Sequence, residues 1–562
     1  MGPELGDDTA NIAAHLPKIA REQPFVPAVF APAGRDGRGR PRYVHWTYRQ
    51  LDEESDRLAR GLREVGIGPG VRTVLMVPPS LDLFALVFAL FKVGAPLVMV
   101  DPGIGTKHLG ECLERAEPRA FVGVPKAHAA RAVLGWAKRT LEISVSVAPR
   151  WSRVIAGRGA HAIDDVRERG ERARGRAMAS VSPEDLAAIL FTSGSTGPPK
   201  GALYRHATFA AQVRSIRDTY DIRPGEIDLP TFPLFALFDP ALGMVTVVPE
   251  MDATRPAEVD PRNIVEAIEG FGVTNMFGSP ALLDTVSRWA VPRGLRFPTL
   301  KRVLSAGAPV APRILEQFAK LLPEGARIHT PYGATESLPV ASISHLEVLG
   351  ETRARTERGE GVCVGAPVAA ARVDIIAIDD APIARWDDAR VLPDGEIGEI
   401  VVRGPQVTHG YVGAPEHTAR AKIETPDGIA HRMGDLGWRD ERGRIWFCGR
   451  KSHRVELDDG TTLFTIPCEG SFNAHPDVKR SALVGAKLNG RTVPVLCVEP
   501  WRWPLAKADE AKLIEELRAI AAKQTHTARI ERILLRERFP VDVRHNAKIR
   551  REDLAQQLGT LT

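Results

Sequence analysis

The chain reads as an α/β protein built on parallel sheets covered on both faces. Three features of the sequence predict this. First, short, almost wholly apolar runs alternate with longer apolar segments. Residues 71–77 (VRTVLMV) read as a strand, Leu81–Lys92 as an apolar helix and 96–100 as a second strand. A strand without a polar face belongs inside a parallel sheet, whose crossover helices cover both sides. Second, the same rhythm returns at 186–191, 273–277 and 302–305. Third, from 373 to 402 the pattern shifts to short strands with turns at Pro393-Asp394-Gly395 and Gly398. That shift predicts a β-rich subdomain beside the main α/β body.

At 562 residues the chain exceeds one ordinary domain, and a large core with a deep pocket is within its reach. Hydrophobic residues make up 44% and charged residues 26%, the balance of a globular protein. The net charge of +5, from 75 basic and 70 acidic residues, is too diffuse to mark a nucleic-acid binder. The one basic cluster, residues 150–176, is rich in Arg, Gly and Ala and weakly periodic. It is expected to be a solvated surface excursion joining two parts of the α/β region.

Cys112, Cys363, Cys448, Cys468 and Cys497 are odd in number, scattered, and never spaced C-x-x-C. They predict neither a disulfide framework nor a zinc site, but thiols of a reducing cytoplasm. The opening residues MGPELGDD have no basic start and no apolar run, so no secretory signal is expected. The most apolar stretch, 81–100, is interrupted by Asp82, Lys92, Gly94 and Pro96. It is therefore expected to be a buried helix and strand, and no transmembrane segment is expected.

The sharpest chemistry lies between the strand at 186–191 and a helical run at 207–220. There the chain reads Thr192-Ser193-Gly194-Ser195-Thr196-Gly197-Pro198-Pro199-Lys200-Gly201. The glycines let backbone N–H groups approach an anion, the hydroxyls add donors and Lys200 adds charge. A Gly/Ser linker is the plainer explanation, but it calls for neither the hydroxyls nor the lysine. The loop is not a Walker A loop, which ends in Gly-Lys-Ser/Thr.

This loop resembles the signature of the adenylate-forming superfamily of acyl-CoA synthetases, luciferases and peptide-synthetase adenylation domains. Further segments resemble that superfamily's other motifs, in order. Ser305-Ala306-Gly307-Ala308-Pro309 is similar to its adenine-contacting strand end, and Tyr332-Gly333-Ala334-Thr335-Glu336 to its second signature. Gly434-Asp435 is similar to its ribose-binding aspartate, Gly449-Arg450 to the start of its interdomain hinge, and Asn546-Ala547-Lys548 to its C-terminal lysine motif.

The resemblance implies that ATP binds along Thr192–Gly197, Lys200, Gly307–Pro309, Tyr332–Ala334, Asp435 and Arg450. It places Mg²⁺ on Glu336, a hard oxygen ligand, and Thr335 beside the α-phosphate. Lys548 would bridge acyl and phosphate oxygens and stabilise the charge of the transition state. It also implies a large N-terminal domain of stacked αβαβα layers, residues 1–449, with the β-rich subdomain at about 365–449. A small mobile α+β cap, residues 450–562, would follow, with a helix at about 511–522.

Three positions depart from the superfamily pattern. Ala547 stands in place of a glycine, Ser452 occupies the hinge pivot, and Ala236 in Phe232-Pro-Leu-Phe-Ala236-Leu-Phe238 replaces a histidine. The last makes an apolar, aromatic lining suited to a long alkyl substrate. With residues 332–340 (YGATESLPV) and 204–220, these features resemble the β-lactone synthetases of bacterial long-chain olefin biosynthesis. That branch implies adenylation of a 2-alkyl-3-hydroxy fatty acid and ring closure by its own hydroxyl. It also implies association with other enzymes of the olefin pathway. The alternative is a long-chain acyl-CoA ligase. His206 and His453 lie near motifs and are expected at the surface.

Overall fold

Two extended sheets carry the chain as far as Arg450, and the apolar helix read from the sequence lies in the core they share. The computed structural model describes residues 10–192, 199–488, 490–541 and 549–559.

The smaller sheet has seven strands, in the order His161–Ala162, Ile143–Ser146, Ala120–Gly123, Thr73–Met76, Leu97–Val100, Leu186–Thr192 and Lys200–Arg205. All neighbours run parallel except the last pair. The larger sheet has fourteen strands. Its parallel part runs from Pro27–Arg35 through Val245–Val247, Ile227–Pro230, Asn275–Phe277 and Arg302–Leu304 to Arg327–Ala334. From there Ser337–Ser344, Val362–Pro367, Ile445–Arg450, Gly428–Arg439, Gly398–Arg403 and Arg372–Ile376 follow in antiparallel pairs. The β-rich segment thus grows out of the main sheet through Ser337–Ser344.

Helix Leu81–Lys92 shows why the sequence folds this way. Every residue from Leu83 to Lys92 is buried, in one core with Leu75, Leu97 and Val122 of the smaller sheet, Val29 of the larger and Val248 just past its strand Val245–Val247. Each buried Leu, Val or Phe side chain among them contributes roughly 1.5–3 kcal/mol. Ser80 caps the helix by accepting from Leu83 N. The fully buried Lys92 is tolerated because its Nζ meets Asp52 Oδ1 at 2.6 Å, Asp56 Oδ1 at 2.5 Å and Ser55 Oγ at 2.9 Å.

The arginine-rich stretch is a correction to the sequence reading. It is not a featureless excursion. Strand His161–Ala162 extends the smaller sheet, and helix Ile163–Arg172 packs on helix Tyr48–Glu64. The helices meet backbone to backbone at two glycines. A Cβ on Gly61 would lie 1.9 Å from Val166 O, and one on Gly170 would lie 1.9 Å from Arg57 O. Several arginines serve this packing. Arg167 pairs with Glu54, Asp82 and Asp164, Arg57 with Glu54 and Glu171, and Arg150 with Asp165 and Glu168. With a glycine at the contact and ion pairs across it, only Ile163 and Val166 remain as apolar residues on the buried face of this helix, too few to stand out in the sequence.

Beyond Arg450, strands Val478–Leu488, Arg491–Pro500 and Arg532–Leu535 form a separate sheet. Helices Thr465–Asn473 and Lys507–Lys523 pack on it around Leu483, Leu496, Phe472 and Leu517. All five cysteines are buried and free. No described helix is long and apolar enough to cross a membrane.

Candidate functional site

The edge strand Lys200–Arg205 organises the polar half of the site. Lys200 pairs with Thr192 across the ladder, so the two strands that flank residues 193–199 meet at these two positions. Residues Ser193, Gly194, Ser195, Thr196 and Gly197 lie outside the described residues. Gly201 is required by packing: a Cβ there would lie 2.5 Å from Phe191 Cζ and 2.8 Å from Val412 Cγ1. The other edge of this strand is bridged by residues 410–412. Leu203 N donates to Gly410 O at 3.0 Å, and Val412 N donates to Gly201 O at 2.9 Å.

That bridge delivers Tyr411, whose ring centroid is 5.7 Å from Lys200 Nζ. Its hydroxyl donates to Glu336 Oε1 at 2.6 Å, and Thr408 N donates to Glu336 O at 2.9 Å. Burial, then the Glu336 charge, pushes the Tyr411 hydroxyl far up, so it remains a proton donor. Burial pushes Lys200 down, and Glu336 partly offsets that. Lys422, fully buried under this group, is pushed down to about 7 by burial, with Glu336 again opposing. Its Nζ donates to Thr408 Oγ1 at 3.2 Å. Thr335 is tied in from the strand as well: Tyr204 Oη donates to its carbonyl.

A second polar cluster lies on the antiparallel part of the large sheet. Asp435 faces Arg450 in register across Gly428–Arg439 and Ile445–Arg450. Arg450 Nη1 reaches Asp435 Oδ1 at 2.9 Å and Met433 O at 3.1 Å, and Tyr332 Oη donates to Asp435 Oδ2 at 2.7 Å. The Asp435 carboxylate raises Arg450 above the usual guanidinium value, and burial keeps the Tyr332 phenol protonated. Gly434, at φ +65°, lies within strand Gly428–Arg439 where its register against Gly398–Arg403 shifts, next to Asp435.

Tyr332, Gly333 and Ala334 end strand Arg327–Ala334, where a bulge faces Ser337. A Cβ on Gly333 would lie 2.8 Å from Ser337 O. The parallel neighbour Arg302–Leu304 ends beside it, so Gly307 (φ +94°), Ala308 and Pro309 follow the carboxyl end of an adjacent strand. Ligands of open α/β sheets bind at such ends. Lys548, Asn546 and Ala547 lie outside the described residues.

An apolar cavity of about 110 Å³ opens beside Thr335. Phe88, Phe91, Phe209, Phe232, Phe235 and Phe238 are among its lining residues. The expected aromatic lining is therefore present, with one correction: Ala236 does not line it. Ala236 ends the short helix Pro233–Ala236 and is buried in the central core, while its neighbours face the cavity. A second correction concerns His206, which is not a surface residue. It is buried, accepts from Ile12 N at Nδ1 (3.2 Å), and is pushed down to about 4 by burial. His453 has a largely covered side chain, with Nε2 2.9 Å from Glu552 Oε1.

Sequence reasoning missed Tyr411, Tyr204, Gln212 and Lys422. A tyrosine or lysine without a motif carries no signal. The one available hint was that Tyr204 lies four residues after Lys200 on a strand, on the same side.

The donor set suits a nucleoside triphosphate: Lys200 would offer charge to a phosphate, and Asp435 would offer carboxylate oxygens to ribose hydroxyls. No group of three or more metal-ligating side chains occurs among the described residues. A single carboxylate, Glu336, fits Mg²⁺ shared with substrate phosphates, the usual way this ion is held.

A family model described as AMP-binding enzyme matches residues 17–412. An olefin beta-lactone synthetase of Stenotrophomonas maltophilia is 50% identical over 552 residues, 97% of each chain. One of Xanthomonas campestris pv. campestris is 49% identical over 553 residues, also 97% of each chain. Among solved structures, an amide bond synthetase from Marinactinospora thermotolerans superposes with a TM-score of 0.76 at 22% identity. That superposition covers 97% of this chain and 99% of the other, and supports the fold alone.

Proposed function

The chain belongs to the AMP-binding enzyme family, and on that premise we propose that it adenylates a 2-alkyl-3-hydroxy long-chain fatty acid and closes it to a β-lactone. The observation that carries this reading is the apolar, phenylalanine-rich cavity opening at Thr335, in a chain that matches two olefin beta-lactone synthetases over 97% of its length.

In the first step a carboxylate oxygen attacks the α-phosphorus of ATP and pyrophosphate leaves. Lys200 and the loop 192–197 hold the phosphates, with Gly307–Pro309, Tyr332–Ala334, Asp435 and Arg450 on the nucleoside. Glu336 would hold Mg²⁺, which supplies charge neutralisation at the phosphates. Lys548 stabilises the anionic transition state, and Thr335 lies beside the α-phosphate. The product is a mixed anhydride, which turns a poor leaving group into AMP.

In the second step the substrate's 3-hydroxyl oxygen bonds to the acyl carbon. The bond from that carbon to the AMP oxygen breaks, AMP keeps the electron pair, and the hydroxyl proton is released to solvent. Because nucleophile and carbonyl share one molecule, proximity offsets part of the ring strain. Residues 450–562 act as a small mobile domain over the large one, 1–449. The enzyme works in the cytoplasm, in association with an olefin-pathway enzyme that consumes the lactone.

Product analysis tests this. Purified enzyme, ATP and a 3-hydroxy acid are incubated with and without CoA. Lactone and AMP formed without CoA is the expected result. A product that forms only with CoA, at the thioester mass, would make the enzyme an acyl-CoA ligase.

A further inference from the structure

The cavity lining includes Thr335, Tyr204 and one buried amide, Gln212, that adenylation does not use. Gln212 lies on helix His206–Tyr220, is fully buried, and lines the cavity among phenylalanines and leucines. Its Nε2 donates to Tyr204 Oη at 3.5 Å. Its Oε1 is buried and has no partner among the described residues. The orientation of the amide follows from the hydrogen-bond chain. The Thr335 carbonyl can only accept, so Tyr204 must donate to it. The remaining capacity of Tyr204 Oη is as an acceptor, which turns the NH₂ end of Gln212 toward it and the carbonyl end away.

A buried carbonyl without a donor is costly, and folded proteins rarely keep one without a purpose. A hydrocarbon chain in this cavity would leave it bare. A substrate hydroxyl would satisfy it. The order along the chain is also right. The Thr335 carbonyl lies at the adenylation motif, Tyr204 Oη comes next, and the Gln212 amide is one hydrogen bond farther from that motif along the cavity lining. A 3-hydroxy acid enters carboxyl group outward, with its hydroxyl two carbons deeper.

We propose that Gln212 is the specificity-determining residue for the substrate's 3-hydroxyl: its Oε1 accepts the hydroxyl hydrogen and leaves the oxygen lone pairs free to face the acyl carbon. This rests on the proposed function and names how the same site recognises its substrate. Gln212 takes no proton, because an amide oxygen is too weak a base.

The test uses the full-length enzyme and acid-dependent ATP–pyrophosphate exchange, with a 3-hydroxy acid and its 3-deoxy analogue of equal chain length. The native enzyme is expected to favour the hydroxy acid by about tenfold or more in kcat/KM, because a site built to bond a hydroxyl rejects the analogue without it. Gln212→Met, close in shape and without the carbonyl, is expected to bring that ratio to about one by lowering the hydroxy-acid value alone. Gln212→Leu is the second variant, and thermal melts identify a variant that fails to fold. An unchanged ratio in a folded variant, or equal losses for both acids, would overturn the proposal. The products of the native enzyme are read separately. Thioester instead of lactone would remove the proposed function, whereas lactone with an unchanged ratio would remove only the role of Gln212.

Discussion

The polar wall and the apolar cavity meet at Thr335 but are built in opposite ways. The wall takes its groups from short contiguous motifs, Lys200, Thr335-Glu336 and Gly449-Arg450 at strand ends and Gly434-Asp435 within strand Gly428–Arg439. The cavity takes its lining from scattered positions, from Ile12 through Phe88, Leu190 and Gln212 to Phe238 and Leu338. Phosphates and ribose present fixed geometry that a few backbone turns and charges must match. A hydrocarbon asks only for apolar volume, which many arrangements supply. On the proposed function the wall activates a carboxylate, and the cavity selects which acid enters.

If that division holds, changes to the wall should lower activation of every acid alike. The largest effect is expected at Lys548, where Lys548→Ala should lower acid-dependent ATP–pyrophosphate exchange by about 10²–10³-fold, as when one transition-state donor is removed elsewhere. Exchange at the native rate would take Lys548 out of the mechanism. Next is Asp435→Asn, which weakens the pairing with Arg450 and the acceptor for ribose. Its KM for ATP should rise roughly tenfold to a hundredfold, on the order of the 1.5–3 kcal/mol of a charged hydrogen bond. The KM for the acid should barely move, and an equal rise in both would blur the division.

The complementary change is Ala241→Trp, which fills part of the cavity lining. Activity on a long-chain acid should fall about tenfold or more while a short acid and ATP keep their KM values. Steady-state kinetics over a series of chain lengths would show it. A uniform loss would mean that the cavity is not the acyl site.

The smallest effect concerns stability. Lys422 is charged in the unfolded chain up to its ordinary value of 10.5, but in the folded protein only up to about 7. Between these two values the unfolded state binds the extra proton, so stability rises with pH across that window, and the penalty is full below about 7. Lys422→Met should raise the melting temperature by a few degrees at and below neutral pH, with the gain shrinking toward the upper end of the window. A gain independent of pH would assign it to packing.

Much of this was legible because local chemistry and fold agreed. Helix Leu81–Lys92 has the bounds its apolar run announces. The strand read at 71–77 is shorter, Thr73–Met76, because Val71 and Val77 lie past the ladder. What stayed hidden depends on contacts far apart in sequence. The packing of Ile163–Arg172 relies on Gly61 and Gly170 meeting backbones more than a hundred residues away. Tyr411 reaches Glu336 only because residues 410–412 bridge the edge strand. Ala236 drew attention through a motif position, yet it is the residues around it that line the cavity.

The central claim is that the wall activates the carboxylate and the substrate's own hydroxyl captures it. It is tested most directly with a 3-hydroxy acid whose carboxylate carries heavy oxygen, followed by mass analysis of both products. Activation at the carboxylate predicts that AMP gains one labelled oxygen and the lactone keeps the other. Unlabelled AMP beside a lactone retaining both labels would contradict the account, because the hydroxyl would then have been the group activated.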